Sequence, residues 1–220
     1  MVCGFLNIGR SLAQDICTRR KVMQFDKTKT YNNLARSFAG ESQAGMRYQL
    51  IAQAATAQGY YTLADTIKVL AHNETEHARR FFEELNKRGE YLENIDLNAG
   101  YPFHSGDIAE SLMLAADDER KEHQVIYPAF QKDAEEEGFK DIANLFKLVA
   151  QVEVRHEMVF RYLHEAFKKG VLFSNETPIL YVCSECGYMH TSTKAWNVCP
   201  LCQSSQGYVE LHIPFEKEKI

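Results

Sequence analysis

The sequence predicts a mainly α-helical protein, in which a four-helix bundle is followed by a small domain held together by metal. Four segments between residues 31 and 168 carry apolar residues at alternating spacings of three and four, the stripe that a helix buries in a bundle core. Each stripe is interrupted near its middle by glutamate. Beyond residue 170 the helical pattern ends, and two Cys-x-x-Cys pairs follow.

The interruptions of the four stripes form one set of carboxylates and imidazoles at a common depth in the bundle. In chain order they are Glu41 in the first helix, Glu74 and His77 in the second, Glu119 and Glu122 in the third, and Glu153 and His156 in the fourth. Short breaks occur at Gly59 and Gly138. The longer connection from Gly89 to Gly106 is where we expect the crossover between two helical hairpins.

Five carboxylates are unfavourable in a protein interior unless cations lie among them. One unpaired buried carboxylate costs several kcal/mol, and charges of one sign also repel one another. The same stripes contain no comparable set of lysines or arginines. Two ferrous or two ferric ions would nearly cancel the charge. A single glutamate in such a stripe is usually structural, but five together indicate bound metal.

The spacing of the histidines predicts a centre with two metal ions. Residues i and i+3 of a helix lie about 4.5 Å apart along its axis on nearly the same face. Glu74/His77 and Glu153/His156 can thus each place a carboxylate between two metals while the imidazole binds one of them. Single glutamates from two helices and Glu-x-x-His pairs from two others are typical of di-iron and di-manganese bundles.

An internal repeat supports this prediction. Glu41 and Glu74 lie 33 residues apart, and Glu119 and Glu153 lie 34 residues apart, so two hairpins carry the same ligand order. The second hairpin has Glu122 where the first has Ala44. The two metal positions are therefore expected to be inequivalent. Pro128, inside the predicted third helix, should bend its axis just beyond the ligands.

A second metal site is predicted from Cys183, Cys186, Cys199 and Cys202, two Cys-x-x-Cys pairs separated by twelve residues. By spacing alone, a structural zinc ion is about as probable here as iron, and disulfides are disfavoured. About 40 residues cannot bury a large core, so metal is needed to stabilise this domain. Short strands are expected at 181–182 and 208–211.

Charge and hydropathy narrow the classes of partner. The net charge of −5 argues against nucleic acid, and no apolar run approaches the ~20 residues that cross a bilayer. We expect an N-terminal extension at 1–22, the bundle at 23–170, a linker at 171–178 and the second domain at 179–220. The basic extension is expected to be an organelle-targeting presequence, an artefact of start assignment at Met1 instead of Met23, or a disordered and dispensable segment, and we favour the last of these. The expected location is the cytoplasm, or an organelle in the first case.

The motifs in combination resemble the rubrerythrin family. The matching segments are 39–44, 74–82, 119–139 and 153–157, together with the four cysteines and their twelve-residue gap. The resemblance covers roughly residues 24–215 and implies a ferritin-like four-helix bundle followed by a rubredoxin-like domain. One departure is Gln203, which stands where many rubredoxin-type cysteine turns have glycine.

The resemblance implies a non-haem di-iron peroxidase of oxidative-stress defence that reduces hydrogen peroxide to water. Electrons would come from an external, NAD(P)H-linked reductase through an iron held by the four cysteines. Glu74 and Glu153 would bridge the two irons, with Glu41 and Glu119 as terminal ligands. His156 would bind one iron, and the other would exchange Glu122 for His77 with oxidation state. The family also implies a homodimer or larger assembly.

The resemblance further assigns Tyr48 and Tyr127 to hydrogen bonds with ligand carboxylates, with ordinary core packing as the alternative. His123 adjoins a ligand but should point about 100° away from it. Two other functions stay open at this point. One is a ferritin-like ferroxidase or iron-handling protein. The other is a non-catalytic metalloprotein whose four cysteines hold zinc.

Overall fold

The computed structural model describes residues 24–88, 94–103 and 106–214 and contains five α-helices and one two-stranded sheet in these ranges. The helices are α1 (Lys29–Ala57), α2 (Tyr61–Arg88), α3 (Ile108–Lys121), α4 (Tyr127–Glu136) and α5 (Lys140–Lys168). A π-helical segment, Glu122–Ile126, joins α3 to α4, and the strands are β1 (Ser174–Val182) and β2 (Met189–Lys194). Since α3, the π segment and α4 form one continuous rod, the bundle has four helical rods, as predicted.

Local side chains and glycines set where the helices begin and end. The Thr28 hydroxyl accepts a hydrogen bond from the Tyr31 N–H at the start of α1, and Asp107 accepts one from Glu110 at the start of α3. Gly59 and Gly138 end the first rod of each hairpin with φ of 83° and 87°, a conformation that glycine adopts without strain. The two predicted breaks are confirmed as tight turns.

The π segment explains why the second hairpin is one residue longer than the first. The turns at Gly59 and Gly138 align, and the stretch from Glu119 to its turn contains one residue more than the stretch from Glu41. A π-helical turn absorbs one extra residue within a helix. Pro128 follows the π segment directly, at the start of α4, and its missing N–H removes one backbone hydrogen bond from the rod. The bend expected at Pro128 stays a prediction, and the irregularity that the structure shows in this rod is the π segment just before it.

The bundle core consists of two apolar clusters with the acidic residues between them. One cluster contains Leu63, Ile67, Leu112, Phe160 and Leu163, all essentially inaccessible to solvent. The other contains Leu34, Phe81, Ile142 and Phe146. Because these clusters exclude water above and below the glutamates, the charged groups of the site interact with one another in a low dielectric.

The C-terminal sheet differs from the predicted pair of strands. Strand β1 pairs antiparallel with β2, with Tyr181 opposite His190 and Val182 opposite Met189. Segment 208–211 contains only the end of a 3₁₀ turn and a single bridge from Val209 to Cys183, on the edge of the strand opposite to β2. The segment expected as a linker, 171–178, includes the first part of β1, since Ser174 pairs with Lys194.

The C-terminal domain packs on the turn between α1 and α2. The Thr62 hydroxyl donates a hydrogen bond of 2.6 Å to the Val209 carbonyl, and the rings of Tyr61 and Tyr208 stack at 4.1 Å. Gly207 approaches the Gly59 carbonyl so closely that an added Cβ would lie 1.7 Å from its oxygen. Within the described ranges, no helix has the length and apolar character that crossing a bilayer requires. The predicted N-terminal extension, 1–22, lies outside these ranges.

Candidate metal centres

Six of the seven predicted bundle ligands meet in the centre of the four rods. They form two groups of four that share two members: Glu41, Glu74, His77 and Glu153 in one, and Glu74, Glu119, Glu153 and His156 in the other. Within each group, one ligand atom per residue lies within 4.8 Å of all the others. The four glutamates and His156 are at most 1% exposed. Each group therefore has the size and composition of a metal site.

The two shared carboxylates each present one oxygen to each histidine. Glu74 lies with Oε2 3.0 Å from the His77 Nδ1 atom and with Oε1 2.8 Å from the His156 Nδ1 atom. Glu153 repeats this arrangement, with Oε1 3.0 Å from His77 and Oε2 2.7 Å from His156. A carboxylate whose two oxygens face two separate groups in this way has the geometry of a bridging ligand.

Two buried tyrosines bind the outer glutamates. The Tyr48 hydroxyl donates a hydrogen bond to Glu119, and the Tyr127 hydroxyl donates one to Glu41. Both rings are nearly inaccessible, at 1% and 3% exposure. Each tyrosine comes from the hairpin opposite to its glutamate, so the pairs tie the two hairpins together. Both tyrosines thus form hydrogen bonds with carboxylates of the cluster and do not only pack in the core.

The sequence analysis did not identify Asn73, which contacts the second nitrogen of His156. The Nε2 atom of His156 lies 3.3 Å from the Asn73 Oδ1 atom, while Nδ1 faces Glu74 and Glu153. Since the Asn73 Oδ1 atom can only accept a hydrogen bond, Nε2 is the donor here, and Nδ1 is the atom that a cation would bind once it has lost its proton. Such a partner is usual for metal-ligating histidines. A polar residue directly before Glu74, on a helix that faces α5, was the signal available in the sequence.

Several buried atoms of the cluster lie close to ionisable neighbours but form no hydrogen bond of acceptable geometry with the described residues. They are Glu41 Oε2, Glu74 Oε1, Glu119 Oε2, both carboxylate oxygens of Glu153, and His156 Nδ1. Buried polar atoms are nearly always satisfied in folded proteins, and each exception requires an explanation. Oxygen and imidazole donors of this kind are the ligands of iron and manganese. The unpaired atoms therefore fit a pair of bound metal ions.

The pKa values of the cluster residues indicate that bound cations would stabilise their deprotonated forms. Burial raises the pKa of Glu41 and of Glu119 well above the usual carboxyl range, and the charge of Glu74 adds to the shift. Burial by itself lowers the pKa of His156, but Glu74 and Glu153 outweigh it and raise that pKa to about 9. Without metal, the cluster therefore retains protons that bound cations would displace.

Glu122, the seventh predicted ligand, lies at the first position of the π segment and outside both groups of four. It remains close enough for electrostatic coupling, because burial and then the charges of Glu153 and Glu74 raise its pKa well above the usual range. His77, and not Glu122, belongs to the group around Glu74 and Glu153. The structure thus has His77 near the shared carboxylates and Glu122 further out.

His123, next in the chain, points away from the cluster as expected. Its Nε2 atom lies 2.7 Å from Glu157 Oε2. Since Glu157 belongs to α5, this contact joins α5 to the π segment, and Arg161 of the same helix holds the carboxylate with a hydrogen bond of 2.7 Å.

The four C-terminal cysteines converge as predicted. Their sulfur atoms all lie within 4.8 Å of one another, and the Cys183–Cys202 and Cys186–Cys199 pairs are each separated by 3.7 Å. The Ser204 hydroxyl lies 3.1 Å from the Cys202 sulfur and, through this hydrogen bond, lowers the pKa of Cys202 to about 6. A thiol that ionises this readily is suited to binding metal as thiolate.

The two cysteine turns have the same backbone geometry. The Gly187 N–H donates to the Cys183 carbonyl, and the Gln203 N–H donates to the Cys199 carbonyl. Gly187 has a φ of 74° and Gln203 a φ of 64°, so both occupy the left-handed region. The substitution of glutamine for glycine therefore leaves the turn intact, at the cost of placing a side chain in a conformation that glycine prefers.

Comparison with protein families and known proteins agrees with both centres. A family model described as "Rubrerythrin" matches residues 32–164 and 110–179, and one described as "Rubrerythrin, rubredoxin-like domain" matches residues 181–210. Rubrerythrin of Porphyromonas gingivalis is 41% identical over 186 residues, covering 83% of this chain and 90% of the relative. Rubrerythrin-1 of Clostridium acetobutylicum is 38% identical over 185 residues, covering 84% of this chain and 94% of the relative.

Solved structures show the same fold at lower identity. A mixed-valence nigerythrin aligns with a TM-score of 0.56 at 21% identity, covering 92% of this chain and all of that one. A Desulfovibrio desulfuricans bacterioferritin aligns with a TM-score of 0.58 at 23% identity, covering 65% of this chain and 82% of that one. The bundle is thus ferritin-like, and its cluster and four cysteines correspond to a di-iron site and a rubredoxin-like site. From the family matches and the relatives together, the chain belongs to the rubrerythrin family.

Proposed function

We propose that the protein is a peroxidase that reduces hydrogen peroxide to water at the bundle cluster, with electrons supplied through an iron in the four-cysteine site. The observation that supports it most is the presence, in one chain, of a buried two-metal cluster and a sulfur-ligated site. A reduced di-iron pair would supply the two electrons that cleave an O–O bond. A four-cysteine iron is suited to one-electron steps that restore them.

The side chains have distinct roles in this proposal. Glu74 and Glu153 would hold both metals at a constant separation, since each turns one oxygen towards each histidine. Tyr48 and Tyr127 keep the outer carboxylates oriented and can hold a proton beside them. Glu122 and His77 are proposed to alternate as ligands, because the anionic oxygen favours ferric iron and the neutral imidazole is tolerated by ferrous iron.

The two centres lie far apart within one chain. The C-terminal domain contacts Thr62 and Gly59 at the α1–α2 turn, and about 18 residues of helix, or roughly 25 Å, separate Gly59 from Glu41. This separation supports an assembly in which the four-cysteine iron of one subunit faces the bundle cluster of another. We therefore propose a homodimer or larger oligomer, fed by an external NAD(P)H-linked reductase. The cytoplasm remains the proposed location.

Rapid mixing tests the proposal. The fully reduced iron-loaded protein is mixed anaerobically with hydrogen peroxide in one series and with dioxygen in another, and oxidation is followed by absorbance. Oxidation by peroxide should be clearly faster. Equal or slower oxidation by peroxide would contradict a peroxidase.

A cysteine variant separates this function from ferroxidation, the alternative that the fold also allows. Cys186→Ser should abolish steady-state peroxide turnover driven by a reductase, while a chemically reduced bundle cluster is still oxidised in a single turnover. Cys17→Ser, outside the Cys-x-x-Cys pairs, is the matched control. A ferroxidase consumes ferrous ions without an electron supply, so undiminished turnover in Cys186→Ser would favour that alternative.

A further inference from the structure

A cavity of about 750 Å³ opens beside Glu122, between α1, the crossover segment and the rod formed by the π segment and α4. Its wall is largely made by Tyr101, Pro102, Val125, Ile126, Ala129 and Phe130. Glu122 and Tyr127 also face it, and the Tyr127 hydroxyl binds Glu41. The cavity is therefore adjacent to the bundle cluster on the side from which Glu122 would approach.

The cavity is much larger than hydrogen peroxide requires. A water molecule takes roughly 30 Å³ in the liquid, and hydrogen peroxide is only slightly larger. Cavities of about 300–1,000 Å³ with apolar walls and a few polar groups are typical sites for organic ligands. The wall here has that composition. Access for a two-oxygen oxidant therefore does not account for the size or the apolar character of this cavity.

Polar residues line the cavity as well: Arg36, Ser37 and Gln43 from α1, Asp118 and Lys121 from α3, and Glu122 from the π segment. Glu122 contributes a carboxyl group at the inner end. A ligand that fits this distribution has an apolar body against α4 and the crossover segment, and a small polar end near Glu122.

We propose that this cavity binds the organic part of an alkyl or aryl hydroperoxide, so that the protein also reduces organic hydroperoxides. The inference rests on the proposed peroxidase function and extends its substrate class. The reaction is ROOH + 2 e⁻ + 2 H⁺ → ROH + H₂O, in which the O–O bond breaks and two O–H bonds form. The electrons come from the reduced metal pair, restored by the external reductase. The apolar wall holds R and directs the O–O bond towards Glu122.

Turnover by the iron-loaded protein is the first test, with cumene hydroperoxide and hydrogen peroxide compared side by side. Ala129→Trp, on an exposed position of the wall, should fill the cavity and slow cumene hydroperoxide reduction by about tenfold or more, since a buried aryl group contributes on the order of 1.5–3 kcal/mol. The ratio of cumene hydroperoxide turnover to hydrogen peroxide turnover should fall by the same factor, and an equal loss of both activities would overturn the inference. Ala99→Trp, from the opposite wall, should act in the same way. Ala54→Trp, on an exposed position of α1 away from the cavity, is the control.

Binding of the product provides a readout that needs no turnover. 2-Phenyl-2-propanol, the alcohol formed from cumene hydroperoxide, is titrated into zinc-loaded protein and followed by ligand-observed NMR. Saturable binding to the unmodified chain and to Ala54→Trp, lost in both cavity-filling variants, supports the inference. Absence of saturable binding, including the case in which a second copy of the chain covers the cavity, overturns it.

The two proposals fail in different ways. If hydrogen peroxide is turned over and cumene hydroperoxide is not, the organic substrate class is wrong and the peroxidase function stands. If neither peroxide is reduced by protein with full iron content, both proposals are wrong.

Discussion

Tyr48 and Tyr127 occupy equivalent places in the two hairpins, although Tyr48 follows Glu41 by seven residues and Tyr127 follows Glu119 by eight. Each donates a hydrogen bond to the glutamate of the other hairpin. The π segment makes this possible, because it absorbs the extra residue between Glu119 and Tyr127. The same segment begins with Glu122, so the one irregularity of the repeat coincides with the one additional carboxylate.

Removing the Tyr127 hydroxyl should destabilise the metal-free protein. In Tyr127→Phe, an oxygen of buried Glu41 loses its donor, and an unsatisfied buried acceptor costs about 1–3 kcal/mol. We expect a decrease of that size in the free energy of unfolding, measured by denaturant titration of the metal-free protein. Tyr60→Phe is the control, since the Tyr60 ring packs against Phe167 and Phe173 away from the cluster. An equal loss in both variants would contradict a specific role for the Glu41 contact.

Asn73 should control how firmly the metal near His156 is held. Asn73→Ala removes the contact that orients the imidazole, and loss of such a partner typically lowers metal affinity by about 10–100-fold. Competition with a chelator measures this loss. Asn86→Ala, an exposed asparagine on the same helix that binds the Phe82 carbonyl, should leave the affinity unchanged. Unchanged affinity in Asn73→Ala as well would show that the hydrogen bond does not support the ligand.

Metal uptake by the bundle should release protons. In the metal-free cluster, the pKa of His156 is raised to about 9, so this imidazole retains its proton near neutral pH, and burial shifts the pKa values of Glu41 and Glu119 upwards as well. Since only the deprotonated forms bind metal, affinity should rise with pH up to about 9. Calorimetric titration of a divalent cation, in buffers of different ionisation enthalpy, counts the protons. A binding enthalpy independent of buffer would contradict this expectation.

The second cysteine turn should be more stable with glycine. Gln203 has a φ of 64°, and a side chain in the left-handed region costs about 1–2 kcal/mol, partly offset by the larger unfolded-state entropy of glycine. Gln203→Gly should therefore stabilise the C-terminal domain by about 0.5–1 kcal/mol, followed as loss of the ferric-thiolate absorption on heating. Gly187→Ala is the matched opposite change and should destabilise it. Destabilisation by Gln203→Gly would mean that its side-chain hydrogen bonds to the Cys199 and Pro200 carbonyls dominate.

Most of the residues that meet in the bundle cluster were readable from local periodicity. Glu41, Glu74 and Glu153 interrupt apolar stripes, and a stripe identifies the buried face of a helix without any knowledge of its neighbours. Likewise, the Cys-x-x-Cys spacing implies that two sulfurs lie on one turn. These patterns determine which residues lie inside and at what depth, because helix geometry is set by hydrogen bonds between residues close in sequence.

Contacts between distant segments decided the rest. The approach of Asn73 to His156 and the packing of Thr62 on Val209 join residues more than 80 positions apart, and no local pattern specifies such pairs. The choice of His77 over Glu122 beside the shared carboxylates depends on how α2 and the π segment pack around one buried charge. These features depend on side-chain packing between helices, which is satisfied only when the whole bundle is assembled.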